Sequence, residues 1–299
     1  MNLLQKVYYK LKLDLLWNRA ASYITRLTWK PLQIMSAQES IAYIKEHNCS
    51  VARFGDGELH ITAYGCPLKF QRADKALQKR LIQVLTHPQP GLLLCLTSRL
   101  NMVTREERAA LSPFWQKALP QHLYAWNKHL SRDVLYGDTN LSRLTEGSTP
   151  EEKFRQIQNI RAIWEGRNVI IVEGQKTRFG VGNDLLENAL SVKRILGPAE
   201  SAFDRYEDLL TQASALARQV SDPLVLLALG PTATVLAYDL ACSGIQAFDI
   251  GHLDISYERL TSGNSGAIPG KYTNESAGGN IVSDCLDPVY LAQIAARID

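Results

Sequence analysis

The stretch LVLLALGPTATVLAYDLA at residues 224–241 sets the reading of the fold. Leu224 to Leu229 is a continuous apolar run of the length that suits a strand buried on both faces. Gly230 ends it. Pro231 and Thr232 then open a helical stretch, Thr232 to Ala241, with proline at a first-turn position where its missing N–H costs nothing. A strand running straight into a helix is the repeating step of a parallel sheet covered by helices.

The same step recurs outward along the chain. Cys49 to Phe54, Leu92 to Thr97, Asn168 to Glu173, Val192 to Leu196 and Ile245 to Ile250 read as further strands. Ala73 to Leu85, Arg105 to Ala118, Asn183 to Leu190 and Phe203 to Val220 read as helices. The expected fold class is α/β: one Rossmann-like domain over residues 37–299, with a mostly parallel sheet flanked by helices. Leu123 to Thr149 has little periodicity, and Ser262 to Asn280 is rich in Gly, Ser, Asn and Pro. Both are expected to be irregular segments of the kind that carry function.

Composition narrows the class. Of 299 residues, 45% are hydrophobic and 21% charged, which excludes a disordered chain, a collagen-like fibre and a small disulfide scaffold. The longest apolar runs fall far short of the roughly 18–20 residues that span a bilayer, so no transmembrane helix is expected. Cys49, Cys66, Cys95, Cys242 and Cys285 are odd in number and form no C-x-x-C. They fit a reducing compartment and small buried hydrophobes.

Charge is unevenly placed. Lys6, Lys10, Lys12, Arg19, Arg26 and Lys30 stand against Asp14 alone, a net +5 over residues 1–36 in a chain of net +3. The remaining body is therefore slightly acidic and does not resemble a nucleic-acid binder. Leu4, Val7, Tyr8, Leu11, Leu15 and Leu16 follow helical spacing within this segment, and Trp17 and Trp29 add amphipathic rings. Lys10, Lys12 and Asp14 interrupt the apolar residues and no small-residue cleavage site follows, so no secretory signal is expected. Two readings remain: a helix on an anionic membrane surface, or a helix packed on the body with a solvated basic face.

Four strand ends carry chemistry. In open α/β sheets, ligands bind beyond the carboxyl ends of the strands. The first end is SVARFGDGE at 50–58, where Arg53 and Gly55 precede Asp56 and Glu58. In an extended stretch these two carboxylates would point the same way, and such a pair with a substrate diphosphate holds Mg²⁺ or Mn²⁺. The plain alternative is a solvated acidic turn. The second end is Gly230 to Thr234, where a helix N-terminus offers an anion site or an ordinary cap. The third runs from Glu173 through Lys176 and Arg178 to Asn183 and Asp184. There Arg178 could fork onto phosphate oxygens. The fourth begins at Asp249 and includes His252, Asp254 and Glu258. Glu275 lies farther on, in the Gly/Ser-rich segment, where a carboxylate could close over substrate as a base. The patterns of a P-loop, a nucleophile elbow and a C-x-x-C zinc site are absent.

Together these stretches resemble the GT-D-fold glycosyltransferases, formerly a bacterial domain of unknown function. The resemblance rests on ARFGDGE at 52–58, FQ at 70–71, YGDT at 136–139 with Ser142 and Arg143, and IVEG at 171–174. It continues through RFGVGNDL at 178–185, KRI at 193–195, LGPTATVLAYDLA at 229–241, DIGHLDISYE at 249–258 and KYTNE at 271–275. It implies a metal-dependent transferase that uses a nucleotide sugar, a UDP-sugar in particular, with Mn²⁺ or Mg²⁺ on Asp56 and Glu58. It implies an acceptor in cell-surface glycan or glycoprotein assembly. Arg53, Gly55, Arg178, Asn183, Asp184, Gly230, Thr232, Asp249 and His252 become expected nucleotide-sugar contacts. Glu275 becomes the first choice of base, with Asp254 and Glu258 behind it. A cytoplasmic enzyme, held at the inner face of the plasma membrane by residues 1–36 beside a lipid-linked acceptor, completes the expectation. A metal-dependent nucleotide-sugar or sugar-phosphate hydrolase and a non-catalytic nucleotide-binding subunit are the alternatives.

Overall fold

A computed structural model describes residues 13–144, 149–263, 266–273, 279 and 281–299. In chain order the first half contains α1 (Leu13–Leu27), β1 (Gln33–Ile34), α2 (Ala37–His47), β2 (Ser50–Phe54), α3 (Asp56–Tyr64), α4 (Lys75–Thr86), β3 (Leu92–Leu96), α5 (Arg105–Ala109), α6 (Pro113–Asn127) and β4 (Leu135–Asp138). The second half contains α7 (Pro150–Arg161), β5 (Asn168–Gly174), β6 (Ser191–Gly197), α8 (Tyr206–Ala217), β7 (Pro223–Ala228), α9 (Pro231–Cys242), β8 (Ala247–Asp249), α10 (Leu253–Ser262), α11 (Pro288–Gln293) and β9 (Ile294–Arg297).

The strands form one sheet in the order β1-β4-β3-β2-β8-β7-β5-β6-β9, with every pairing parallel. From β2 the chain steps to β3 and β4 on one side, then crosses to β5 and β6 on the other. β7 and β8 fill the gap, so β2 and β8 meet where the strand order reverses. That switch point is the place where open α/β sheets open a crevice.

The continuous apolar runs are explained by two cores. Ile170, Val172, Val225 and Leu227 point to one face, where α4, α6, α8 and α9 supply Leu81, Leu119, Leu209 and Val235. Val169, Ile171, Leu224 and Leu226 point to the other, against Ile41 and Ile44 of α2, Ile157 and Ile160 of α7, and Leu253 of α10. Each such side chain contributes roughly 1.5–3 kcal/mol on burial. An alternating strand would waste one face; these strands have two to fill.

Several expected elements differ. Residues 183–190 form turns, because the Asn183 side chain accepts the Leu185 amide at 3.1 Å and the Trp164 indole donates to the Leu185 carbonyl at 2.9 Å. Such local bonds compete with a helix. The helix expected over 105–118 is two helices, with Pro113 starting the second, which runs on to Asn127. The segment 123–149 is therefore partly regular and also contains β4. The sheet already begins at β1, inside the N-terminal segment, and ends in a further strand, β9, that the apolar pattern does not announce. All five cysteines are free, but only Cys49 and Cys95 are buried, whereas Cys242 is exposed.

Candidate active site

β2 places Arg53 one residue before its carboxyl end, and β8 places Asp249 beside it. The Arg53 Nη2 donates to Asp249 Oδ1 at 3.0 Å and its Nε donates to the Asp249 carbonyl at 2.8 Å. Burial pushes the Asp249 carboxyl up, and the Arg53 charge opposes that shift. The Thr234 hydroxyl, in the first turn of α9, donates to the Arg53 carbonyl at 3.0 Å. Three elements are thus joined under the switch point. Gly251 completes the arrangement. Its φ is +53°, and a methyl group there would fall 1.7 Å from Arg53 Nη2. Only glycine leaves the guanidinium its place.

α3 begins directly after β2. Glu58 Oε2 accepts the Gly55 amide at 2.9 Å, so the glutamate caps its own helix. Burial, with Asp249 next, pushes the Glu58 carboxyl up to about 7; Arg53 opposes the shift and Asp56 adds a smaller push in the same direction. The extended stretch expected here, with Asp56 and Glu58 side by side, is instead the first turn of a helix, where residues two apart lie about 200° around the axis. Among the described residues no three His, Cys, Asp or Glu side chains form a metal-ligating group.

Above these residues opens a cleft of about 850 Å³. Arg53, Gly55, Asp56, Glu58, Gly230, Asp249, His252 and Asp254 line it, as expected from the strand ends. Phe70 lies against Gly230, where an added methyl would come within 2.5 Å of its ring. The segments that follow β3 and β4 add two cations that lie outside the four strand-end motifs. Arg99 Nη1 donates to Asn140 Oδ1 at 3.1 Å and its guanidinium stands 5.5 Å from the Trp115 ring. Arg143 Nη2 lies 3.2 Å from His252 Nδ1. Trp115, Phe114 and Tyr272 give the walls aromatic surface.

Other expected contacts are engaged elsewhere. Arg178 donates to the carbonyls of Gly270, at 2.8 Å, and Ser283, and is buried outside the cleft lining. Asp184 accepts from Tyr257 at 2.6 Å and Arg161 at 2.7 Å, and the Tyr257 bond leads in holding its carboxyl below the usual range. Asn183 donates to Asp254 and Glu258, at 2.7 Å each. Both carboxylates also bind Lys271, whose Nζ lies 2.8 Å from each Asp254 oxygen and 2.9 Å from Glu258 Oε1. Burial pushes the Asp254 carboxyl up and Lys271 is the leading opposing influence. Thr232 is buried and does not line the cleft, and among the described residues its hydroxyl has no hydrogen-bond partner. Glu275 lies outside the described residues.

Glu173 and Arg194, from the IVEG and KRI stretches, pair at 2.6 Å on neighbouring strands β5 and β6. Both are buried. The two stretches therefore meet in the core as a structural unit, and of their residues only Gly174 reaches the cleft lining.

A solved domain of unknown function 1792, described as having a distinct glycosyltransferase fold, aligns with a TM-score of 0.79 at 29% identity, over 94% of this chain and 100% of that one. A glycosyltransferase of the same domain class from Streptococcus sanguinis aligns at 0.77 and 32% identity, over 90% and 100%. Glycosyltransferase GlyD of Streptococcus pneumoniae serotype 4 is 34% identical over 276 residues, 90% of this chain and 33% of the relative. The probable glycosyl transferase Gly of Streptococcus gordonii is 33% identical over 277 residues, 90% of this chain and 39% of the relative. The chain thus spans well under half the length of these curated relatives. The model of the glycosyltransferase GT-D fold matches residues 51–276, from the second residue of β2 to beyond Lys271, and the chain belongs to that family.

Proposed function

We propose that this chain transfers a sugar from a nucleoside diphosphate sugar, with uridine as the nucleoside, to a hydroxyl of a cell-surface glycan or glycoprotein. The observation that carries the reading is the cleft over the β2–β8 switch point. Arg53, Arg99 and Arg143 surround it, and its 850 Å³ lies within the ~300–1,000 Å³ usual for small-molecule sites. Family membership supplies the reaction class, and uridine comes from the family resemblance alone.

Cleavage of a sugar–phosphate bond leaves growing negative charge on the diphosphate. Arg53 is already fixed by Asp249, so its positive charge needs no reorientation as that charge develops. Arg99 and Arg143 add positive potential from the β3 and β4 side, and the amide end of α9 behind Gly230 adds its dipole. Phe70, held on Gly230, offers a flat apolar face to the base or the sugar ring.

Asp56 and Glu58 are the residues that would hold Mn²⁺ or Mg²⁺. Both line the cleft, although the helical turn sets them about 200° apart around its axis, so phosphate and water would fill most of the coordination positions. When bound, such a cation supplies Lewis-acid stabilisation of the leaving diphosphate. Glu275 is the base that takes the acceptor proton, three residues beyond Tyr272 on the cleft wall. Asp254 and Glu258 rank behind it because Lys271 engages both. A cytoplasmic, peripheral position at the plasma membrane, facing a lipid-linked acceptor, belongs to the same reading; no described helix is long and apolar enough to cross a membrane.

The test is incubation with a panel of nucleotide sugars and Mn²⁺, with and without glycan acceptors. Acceptor-dependent release of nucleoside diphosphate supports transfer. Release independent of any acceptor would identify a hydrolase, and binding without release a nucleotide-binding subunit. Calorimetry with UDP, GDP and CMP checks the nucleoside: tighter GDP binding would overturn uridine.

A further inference from the structure

α1 has two unlike faces. One packs on α6, with Ala21 and Ser22 buried and the Ser22 hydroxyl accepting the Tyr124 amide at 3.1 Å. The other is apolar and open to solvent. Leu16 is 56% exposed, Trp17 65%, Ile24 62% and Leu27 70%, and Tyr23 is exposed with them. At about 100° per residue, positions 16, 17, 23, 24 and 27 fall within about 120° of the helix surface, so these side chains form one stripe along the helix. Large apolar side chains grouped this way on a surface mark an interaction site.

Charge selects the partner. Arg19 is exposed on the same helix, the Arg26 guanidinium stands 5.3 Å from the Tyr23 ring, and Lys30 follows. Residues 1–36 carry six basic side chains against Asp14. A second copy of this chain would bring its own Arg19, Arg26 and Lys30 against these and be repelled. An anionic lipid surface complements it, and aliphatic and aromatic groups on one side of a basic helix are what an interfacial helix requires. Trp29, in contrast, is held by the body: its indole donates to Asn101 at 3.3 Å, and Arg132 lies 4.7 Å from its ring. The segment is therefore anchored at its far end and open along α1.

We propose that α1 lays its Leu16, Trp17, Tyr23, Ile24 and Leu27 face into the interface of an anionic bilayer. α6 joins this face to the cleft. Its first turn carries Phe114 and Trp115 on the cleft wall, its later turns carry α1, and its 15 residues measure about 22 Å. Docking by α1 then brings the cleft close to the membrane, within reach of a lipid-linked acceptor; that last clause rests on the transferase reading, whereas the docking itself does not.

The experiment is co-sedimentation of the full chain with phosphatidylcholine vesicles, with and without phosphatidylglycerol, at low and high salt. Binding is expected only to vesicles that contain phosphatidylglycerol, and salt should weaken it as screening shortens the field to about 8 Å at physiological strength. Ile24→Asp and Leu27→Asp, at exposed positions, should each lower partitioning about tenfold without changing the melting temperature or nucleotide binding. Equal partitioning of these variants, or equal binding to pure phosphatidylcholine, would overturn the proposal. So would an absence of binding to either vesicle, including the case of a concentration-dependent dimer that Ile24→Asp dissociates, which would make the face a contact between copies. Loss of transfer with vesicle binding intact would count against the enzymatic reading alone.

Discussion

Arg53 on β2 and Asp249 on β8 pair at 3.0 Å across the switch point, and Gly251, two residues past the aspartate, leaves the space that the guanidinium fills. A buried pair of this kind adds little net stability, yet removing one partner costs about 3–5 kcal/mol because the other charge is stranded. Gly251→Ala forces Arg53 out while leaving both charged residues in the chain. The expected result is destabilisation of about 3 kcal/mol or more in urea, with nucleotide binding lost at temperatures where the chain is still folded. Unchanged nucleotide affinity would show that Arg53 does not face the ligand.

The cation assignment makes a separate prediction. Asp56→Asn and Glu58→Gln are near-isosteric and should each lower transfer about hundredfold or more. Melting temperatures should stay near that of the parent, since the neutral side chain introduced by Glu58→Gln keeps a carbonyl oxygen that can accept the Gly55 amide. Chelation should abolish the parent's activity, and Mn²⁺ or Mg²⁺ should restore it. Full activity in EDTA rejects the metal reading.

A pH dependence of stability follows from His122. The Tyr64 hydroxyl lies 3.0 Å from its Nδ1, and burial, with the nearby His60 second, pushes the imidazole down from 6.5 to about 4. A folded pKa below the unfolded one means that the unfolded chain takes up the proton first. The contribution is therefore complete above about pH 6.5 and is lost as pH falls toward 4. Denaturant titrations through this window should show a smaller slope for His122→Gln than for the parent. Parallel profiles would assign the acid sensitivity to other groups.

The parallel sheet was legible because its signal is local. LVLLAL before Gly230 and NVIIV before Glu173 each have the length and uniform apolarity of a strand with two buried faces. β4 was not legible, because LYGD contains Gly and Asp, both poor strand formers, and holds its place through pairing with Cys95 and Leu96 of β3. The site divides the same way. Arg53, Gly55, Asp56, Glu58 and Asp249 sit at strand ends that glycines or a sequence break make visible. Arg178 has the same local appearance, but its partners, Gly270 and Ser283, lie about a hundred residues away and turn it from the cleft. Arg99 carries no glycine signal at all and reaches the cleft only because β3 ends there.

The last prediction separates a latch from a base. Lys271 joins Asp254 and Glu258 of α10 to the segment that leads on to Glu275, and its ammonium is almost fully buried between them. Lys271→Met leaves two carboxylates facing each other without a cation, which should cost about 3–5 kcal/mol. Adding Asp254→Asn removes one of those charges and should recover much of the loss, the sign of direct coupling between the two sites. Asp254→Asn alone should weaken the fold more than it slows transfer. Glu275→Gln should do the reverse, lowering kcat by about 10²–10⁴ with the melting temperature unchanged. These four variants, compared by denaturation and by initial rates, give each carboxylate its role. If Asp254→Asn slows transfer as far as Glu275→Gln does and leaves stability untouched, then Asp254 is the base and Lys271 is the group that holds it in place.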